Sequence, residues 1–161
     1  MPHEFVDGIH LRGFLAGETD FLTLFAQKPQ ETQDLIIDEV IKPCIDAQEV
    51  PEAGIFCAVT IEGHSDRDDT PGRTPEDRRA NEKEMSTLRA QSARDFIFGQ
   101  IDEVLPEIGA TGSTENIHIS VVVCGSAVLD EPNPGDDEGL RQRNRRVHFG
   151  RVIFRPETPV L

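Results

Sequence analysis

Apolar residues recur with two different periods along the chain, and the change from one period to the other divides it into strands and helices. From Gly54 to Ile61 the residues Ile, Phe, Cys, Ala, Val, Thr and Ile follow without a break, the pattern of a short strand buried on both faces. Ile117 to Cys124 (IHISVVVC) is a second strand of the same buried type. Val147 to Phe154 (VHFGRVIF) alternates apolar and polar residues, as a strand with one wetter face does. Helical spacing marks Glu31 to Ala47 through Leu35, Ile36, Val40, Ile41 and Cys44, and Pro43 is expected to kink that helix or end its regular part. It also marks Ala80 to Leu105 through Met85, Leu88, Ser92 and Phe96 and through Ala93, Ile97, Ile101 and Val104, with Pro106 and Gly109 closing the helix. Residues 1–24 hold short apolar groups broken by Gly8, Gly13 and Gly17 and read as a strand and a turn. A turn at Gly112-Ser113-Thr114 and a short basic helix from Leu140 to Arg143 complete the pattern.

The order strand, helix, strand, helix, strand, short helix, strand predicts an α/β fold: a βαβαβ sandwich with a small mixed four-stranded sheet and helices packed on one face. A right-handed crossover places the C-terminal end of the Gly54–Ile61 strand beside the start of the Ala80 helix, the kind of corner where open sheets bind ligands. Residues 67–79 are charged and carry Pro71, Gly72 and Pro75, so they are expected to form an exposed loop, and 125–139 a second. A chain of 161 residues fits one domain, taken as 1–161.

Charge narrows the function classes. Thirty acidic against 16 basic residues give a formal net charge of -14, and such a field repels nucleic-acid phosphates and anionic lipid headgroups. No nucleic-acid partner and no direct membrane insertion are expected. The first residues, MPHEFVD, lack the basic and apolar blocks of a signal peptide, and no apolar run reaches the length of a transmembrane helix. As written, the chain is expected to be made in the cytoplasm and to reach a cell wall or a particle only if another system delivers it. Cys44, Cys57 and Cys124 form no CxxC pair; reduced, buried thiols are expected, with Cys57 and Cys124 acting as small hydrophobes within their apolar runs.

Catalysis and metal binding fit the polar motifs poorly. Gly63-His64-Ser65-Asp66-Arg67 has Arg67 where a nucleophile elbow needs its second glycine. Asp66, Asp68 and Thr70 are spaced like the first ligands of a calcium loop, but Pro71 stands at the glycine position and Asp77 at that of the final glutamate. His64, His118, His148, Cys57 and Cys124 form no zinc spacing. No enzyme activity, cofactor or metal is therefore expected. The arginines 141, 143, 145, 146, 151 and 155 are expected to balance the acids of the adjoining loop, Asp130, Glu131, Asp136, Asp137 and Glu138. What remains is a carboxylate, Asp66, at the end of one element, Arg89 within the next helix, and Asn144 with Arg145 at a strand entrance. An anion and a planar fork donor of this kind suit a zwitterion, which points to a binding site rather than a reaction centre.

At these residues the sequence resembles the OmpA-like, peptidoglycan-associating domain family. The resemblance rests on Gly63-His64-Ser65-Asp66, similar to the family's G-H-T-D; on Met85-Ser86-Thr87-Leu88-Arg89-Ala90-Gln91-Ser92, similar to L-S-x-x-R-A-x-x-V; and on Arg141-Gln142-Arg143-Asn144-Arg145-Arg146-Val147, similar to R-x-x-N-R-R-V. It covers residues 51–155 as a motif-bearing core, with 1–50 a divergent N-terminal strand and helix and 156–161 a tail. The resemblance implies a non-catalytic module in which Asp66 and Arg89 clasp the amino and carboxylate groups of diaminopimelate in the peptidoglycan stem peptide, and Ser65, Asn144 and Arg145 add polar contacts. Asn81 lies one residue earlier than the family's asparagine, and His148 replaces the acidic residue that commonly follows N-R-R-V. Loops 67–79 and 125–139 are longer than usual for the family and are candidate contacts for other proteins.

Two functions follow as expectations. One is a wall-binding module, carried for instance by a phage, contractile injection or secretion particle. The other is an intracellular interaction or structural component that keeps the fold without binding cell wall. A third, plainer expectation is that Asp66 and Arg89 pair with each other and merely brace sheet on helix.

Overall fold

The computed structural model describes residues 3–50, 53–106 and 116–157. Strand β1 (His3–Arg12) is followed by helices α1 (Phe21–Gln27) and α2 (Gln30–Ile36), a π-helical turn (Ile37–Ile41) and α3 (Lys42–Glu49). Then come β2 (Phe56–Gly63), the long α4 (Pro75–Val104), β3 (Ile117–Val123), the short α5 (Glu138–Asn144) and β4 (Arg146–Phe154). The strands form one mixed sheet in the order β1-β4-β2-β3, with β2 and β3 parallel and β4 antiparallel to both β1 and β2. The fold is α/β with helices on one face, as the order of periodicities predicts.

The core lies between that face and the helices. Cys57, Val59 and Ile61 of β2 and Val147, Phe149 and Ile153 of β4 meet Ala90, Ala93, Ile97 and Ile101 of α4 and Val40, Ile41, Cys44 and Ala47 of the preceding helical segment. Phe21 packs on Phe96 with centroids 5.0 Å apart and stands edge-on to Phe149 at 5.7 Å, tying α1 and α4 to the sheet.

Several expectations are corrected. The β2 strand is not buried on both faces: its residues alternate half-buried and buried, because among the described residues no layer covers the side bearing Ala58, Thr60 and Glu62. The β3 strand is the sheet edge, with Val122 and Val123 exposed rather than enclosed. An unbroken apolar run here reflects the liking of β-branched residues for a pleated surface, open or covered. Residues 21–27 are helical where a strand and turn were expected; Phe21, Leu24 and Phe25 at helical spacing are the buried face. The α4 helix starts at Pro75 rather than Ala80, capped by Thr74, whose hydroxyl accepts the Asp77 N–H at 3.1 Å, so the expected 67–79 loop is shorter and its second half is helix.

Pro43 does disturb its helix. It lacks the N–H that would bond the Glu39 carbonyl; the helix widens to a π turn just before it, and Arg151 donates its Nε–H to that carbonyl at 2.7 Å. Gly109 and the Gly112-Ser113-Thr114 turn lie outside the described residues.

Candidate functional site

Gly63 ends β2 where α4 crosses it. A Cβ built there would stand 1.9 Å from the Ser86 carbonyl oxygen, so only glycine lets the helix approach this closely. Beyond it the chain is pinned on two sides: His64 N–H donates to the Arg146 carbonyl at 3.0 Å and Ser65 N–H to the Gly125 carbonyl at 2.8 Å. Ser86 on α4 completes the corner, its hydroxyl accepting the Gly125 N–H at 3.0 Å and donating to the Lys83 carbonyl at 2.9 Å. His64, Ser65 and Asp66 are consequently buried in a stretch whose composition is that of a surface loop.

Arg89 lies three residues along α4 from Ser86 and is 2% exposed. It donates Nε–H to the Glu18 carbonyl at 2.9 Å, Nη1–H to the His64 carbonyl at 3.1 Å and Nη2–H to the Leu15 carbonyl at 3.4 Å, with Phe14 beneath its guanidinium at 5.1 Å. A guanidinium has five N–H groups, so one on Nη1 and one on Nη2 remain uncommitted. Among the described residues no carboxylate stands within ion-pairing distance of it, so the expected plain Asp66–Arg89 brace is not formed. Burial, reinforced by the nearby Arg145 charge, lowers its pKa to about 10, which still leaves it cationic at neutral pH.

Asp66 is held quite differently. Its Oδ2 accepts from Arg141 Nη1 at 2.7 Å and lies 3.8 Å from Arg145 Nη2, while Oδ1 accepts from Asn144 Nδ2 at 2.9 Å. Asn144 is the last residue of α5, not a strand entrance, and is fully buried. Its remaining bonds go to the Glu131 backbone, Nδ2 donating to the carbonyl at 2.9 Å and Oδ1 accepting the N–H at 2.8 Å. Asn144 thus joins Asp66 to the 125–139 segment and is not among the residues that line the cleft described next. Arg145 donates Nη1–H to Glu138 and, at 3.4 Å, to the Phe14 carbonyl.

These groups border a cleft of about 380 Å³. Ser65, Asp66, Arg89 and Arg145 all line it, as does Asn81, whose Nδ2 donates to Asp68 Oδ2 at 3.1 Å. Among the described residues the Ser65 hydroxyl has no hydrogen-bond partner, although the residue is 3% exposed. Acids Asp66, Asp68, Asp69, Glu82, Asp136 and Glu138 share the walls with Arg67, Arg89, Arg141 and Arg145, a mixed field that suits a ligand carrying both signs. Burial would raise the Asp68 pKa, but hydrogen bonds from Thr70 and Arg73 outweigh it and hold it at about 2. Those bonds and Asn81 already occupy the carboxylate that the calcium-like spacing singles out.

The residue that sequence reasoning misplaced is Arg141. It does not simply balance the neighbouring loop: it bridges Asp66 and Asp69 and donates Nε–H to the Gly135 carbonyl at 2.8 Å. Its position one helical turn before Asn144 in R-x-x-N was the available signal. Of the other arginines, Arg143 meets Glu131 and Arg146 approaches Asp130 as expected, whereas Arg151 pairs with the distant Glu39 at 2.8 Å. His148, on the uncovered sheet face, accepts the Gly8 N–H on Nε2 at 3.1 Å and so offers Nδ1–H to Glu62 at 2.7 Å.

No protein-family model matches the chain, and no curated protein matches it. Among solved structures it is similar to the cell wall anchor of the T6SS from Pseudomonas aeruginosa, at 20% identity and a TM-score of 0.38, over 96% of this chain and 82% of that one. It is also similar to the C-terminal domain of Helicobacter pylori MotB, at 22% identity and a TM-score of 0.36 over 82% of this chain and 78% of that one. A longer periplasmic MotB domain from the same organism gives 20% identity and a TM-score of 0.37, over 92% and 80% of the two chains. At these scores the superpositions are loose.

Proposed function

We propose that the chain is a non-catalytic binding module for the peptidoglycan stem peptide, with diaminopimelate seated in the cleft between Asp66 and Arg89. The observation that carries this reading is the unpaired state of Arg89: a buried cation lining the cleft, with two spare N–H groups and, among the described residues, no carboxylate at ion-pairing distance. A ligand carboxylate would complete it with a two-pronged, charge-assisted contact. The Ser65 hydroxyl, buried and unpartnered, offers a further polar contact, and Asp66 offers an anion to the ligand's ammonium. Arg145 steers the same carboxylate by charge, and Asn144 holds Asp66 in place from behind. The three sequence motifs that resemble the peptidoglycan-associating family meet at this one cleft.

Purified chain is expected to co-sediment with diaminopimelate-type sacculi and to pellet much less with lysine-type sacculi, since lysine lacks the second carboxylate that Arg89 requires. Arg89→Gln, checked for retained fold by circular dichroism, should stay in the supernatant. Equal pelleting of wild type and Arg89→Gln, or of both wall types, overturns the reading. A second reading is favoured by the bonds on Asp66: held by Arg141 and Asn144, it serves only to pin the 125–139 segment. That reading expects no pelleting at all with either wall.

A further inference from the structure

We propose that Cys44 and Cys57 are a built disulfide site, a covalent staple between α3 and β2 that closes on exposure to a disulfide oxidant. The two thiols lie in the core, away from the cleft. Both side chains are fully buried, and their sulfurs lie 3.6 Å apart across the helix–sheet interface. That is van der Waals contact, about 1.6 Å from bonding distance, so closing the bond requires the two sulfurs to approach by about that much. Cys124, the third thiol, is half-buried beside the Gly125 turn, and no sulfur contact joins it to the pair.

The two thiols sit in different local chemistry. The hydrogen bond from the Cys44 thiol and the nearby Arg151 charge lower the Cys57 pKa against the opposing effect of burial, whereas donating that hydrogen bond, together with burial, raises Cys44. Exchange balances with Cys44 as the resolving thiol and Cys57 as the first nucleophile. Its thiolate attacks one sulfur of a disulfide oxidant of the glutathione type, forming a mixed disulfide and releasing one glutathione thiolate. The Cys44 thiolate then attacks the Cys57 sulfur, forming the Cys44–Cys57 bond and releasing the second. The protein loses two electrons, the oxidant gains them, and the two thiol protons leave with the two glutathione molecules.

Access comes from the helix rather than the sheet. Cys44 follows the π turn and Pro43, the segment where α-helical bonding is already interrupted. The staple would fix this helical arm to the strand that ends at Gly63 and presents Ser65 and Asp66. It does not depend on the ligand proposed for the cleft.

The test uses the full chain equilibrated in glutathione buffers from fully reduced to fully oxidised, with a trace of urea so that opening of α3 does not limit exchange. Free thiols are then alkylated, and the chain is cleaved after Glu49 to separate the two cysteines. Oxidation is expected to link the Cys44 and Cys57 fragments with a mass loss of two hydrogens, to leave Cys124 outside the link, and to raise Tm by roughly 6–10 °C for a loop of this length. Cys57→Ala should show neither the link nor the Tm rise, and should that variant fail to fold, the fragment map of wild type decides alone. Alkylation of both Cys44 and Cys57 in the most oxidising buffer, or a link from either of them to Cys124, overturns the proposal.

Discussion

Two arginines reach the same cleft from different helices, and they are held in opposite ways. Arg141 of α5 lies between two carboxylates, Asp66 and Asp69, whose hydrogen bonds and charge raise its pKa against a modest cost of burial. Arg89 of α4 is held by backbone carbonyls and an aromatic ring, and burial lowers its pKa to about 10. One charge is already neutralised and acts as a brace. The other has been desolvated and positioned by groups that leave it uncompensated, a costly arrangement for stability alone. The lesson is that residue type does not separate a paired arginine from an uncompensated one; the identity of the acceptors does.

The largest effect is expected from removing what allows Arg89 to be where it is. Gly63→Ala puts a methyl group into the Ser86 carbonyl, and the strand and α4 must part; a loss of more than about 4 kcal/mol in urea unfolding is expected, or no soluble protein. Next comes Asn144→Ala, which strips hydrogen bonds from Asp66 and from both backbone groups of Glu131. A stability loss of about 2–4 kcal/mol is expected by the same assay. Arg141→Gln breaks the comparison from the other side: because Arg141 is a brace, ligand affinity should change by less than about tenfold, while Tm falls by a few degrees.

The smallest effect concerns His64. Its ring is buried and, among the described residues, neither nitrogen is hydrogen-bonded, although Nε2 stands 3.5 Å from Glu62. Burial, with the Arg146 charge adding to it, lowers its pKa below the usual 6.5. Above 6.5 both folded and unfolded chains carry the neutral ring. As pH falls below 6.5 the unfolded chain takes up the proton first, so stability declines until the lower folded-state pKa is passed. Urea midpoints measured between pH 8 and 5 should fall, and His64→Asn should flatten that part of the profile.

The fold class and the convergence of three motifs were legible in the sequence because they rest on local periodicity and short spacings. The Met85–Arg89 segment falls on the helix that its spacing predicts, whereas Asn144, expected at a strand entrance, ends α5 instead. What was not legible depends on partners remote in sequence. The carbonyls of Leu15 and Glu18 that hold Arg89 leave no side-chain signature, since any residue supplies a carbonyl. Which carboxylate Arg141 meets is set by how α5 packs on the 64–74 loop, so nearest acids in sequence were a poor guide. The α1 helix was missed because glycines on its N-terminal side suggested turns, while its apolar face, Phe21, Leu24 and Phe25, is too short to announce a period.

The central claim is that Arg89, and not Arg141, is the cation reserved for a ligand. Isothermal titration of a diaminopimelate-containing stem peptide into wild type, Arg141→Gln and Arg89→Gln tests it most directly. Saturable binding to the first two and a loss on the order of a hundredfold in the third are expected, the cost of leaving a carboxylate without its fork donor. Binding by Arg89→Gln within a few-fold of wild type, or no binding by wild type at millimolar peptide, contradicts it.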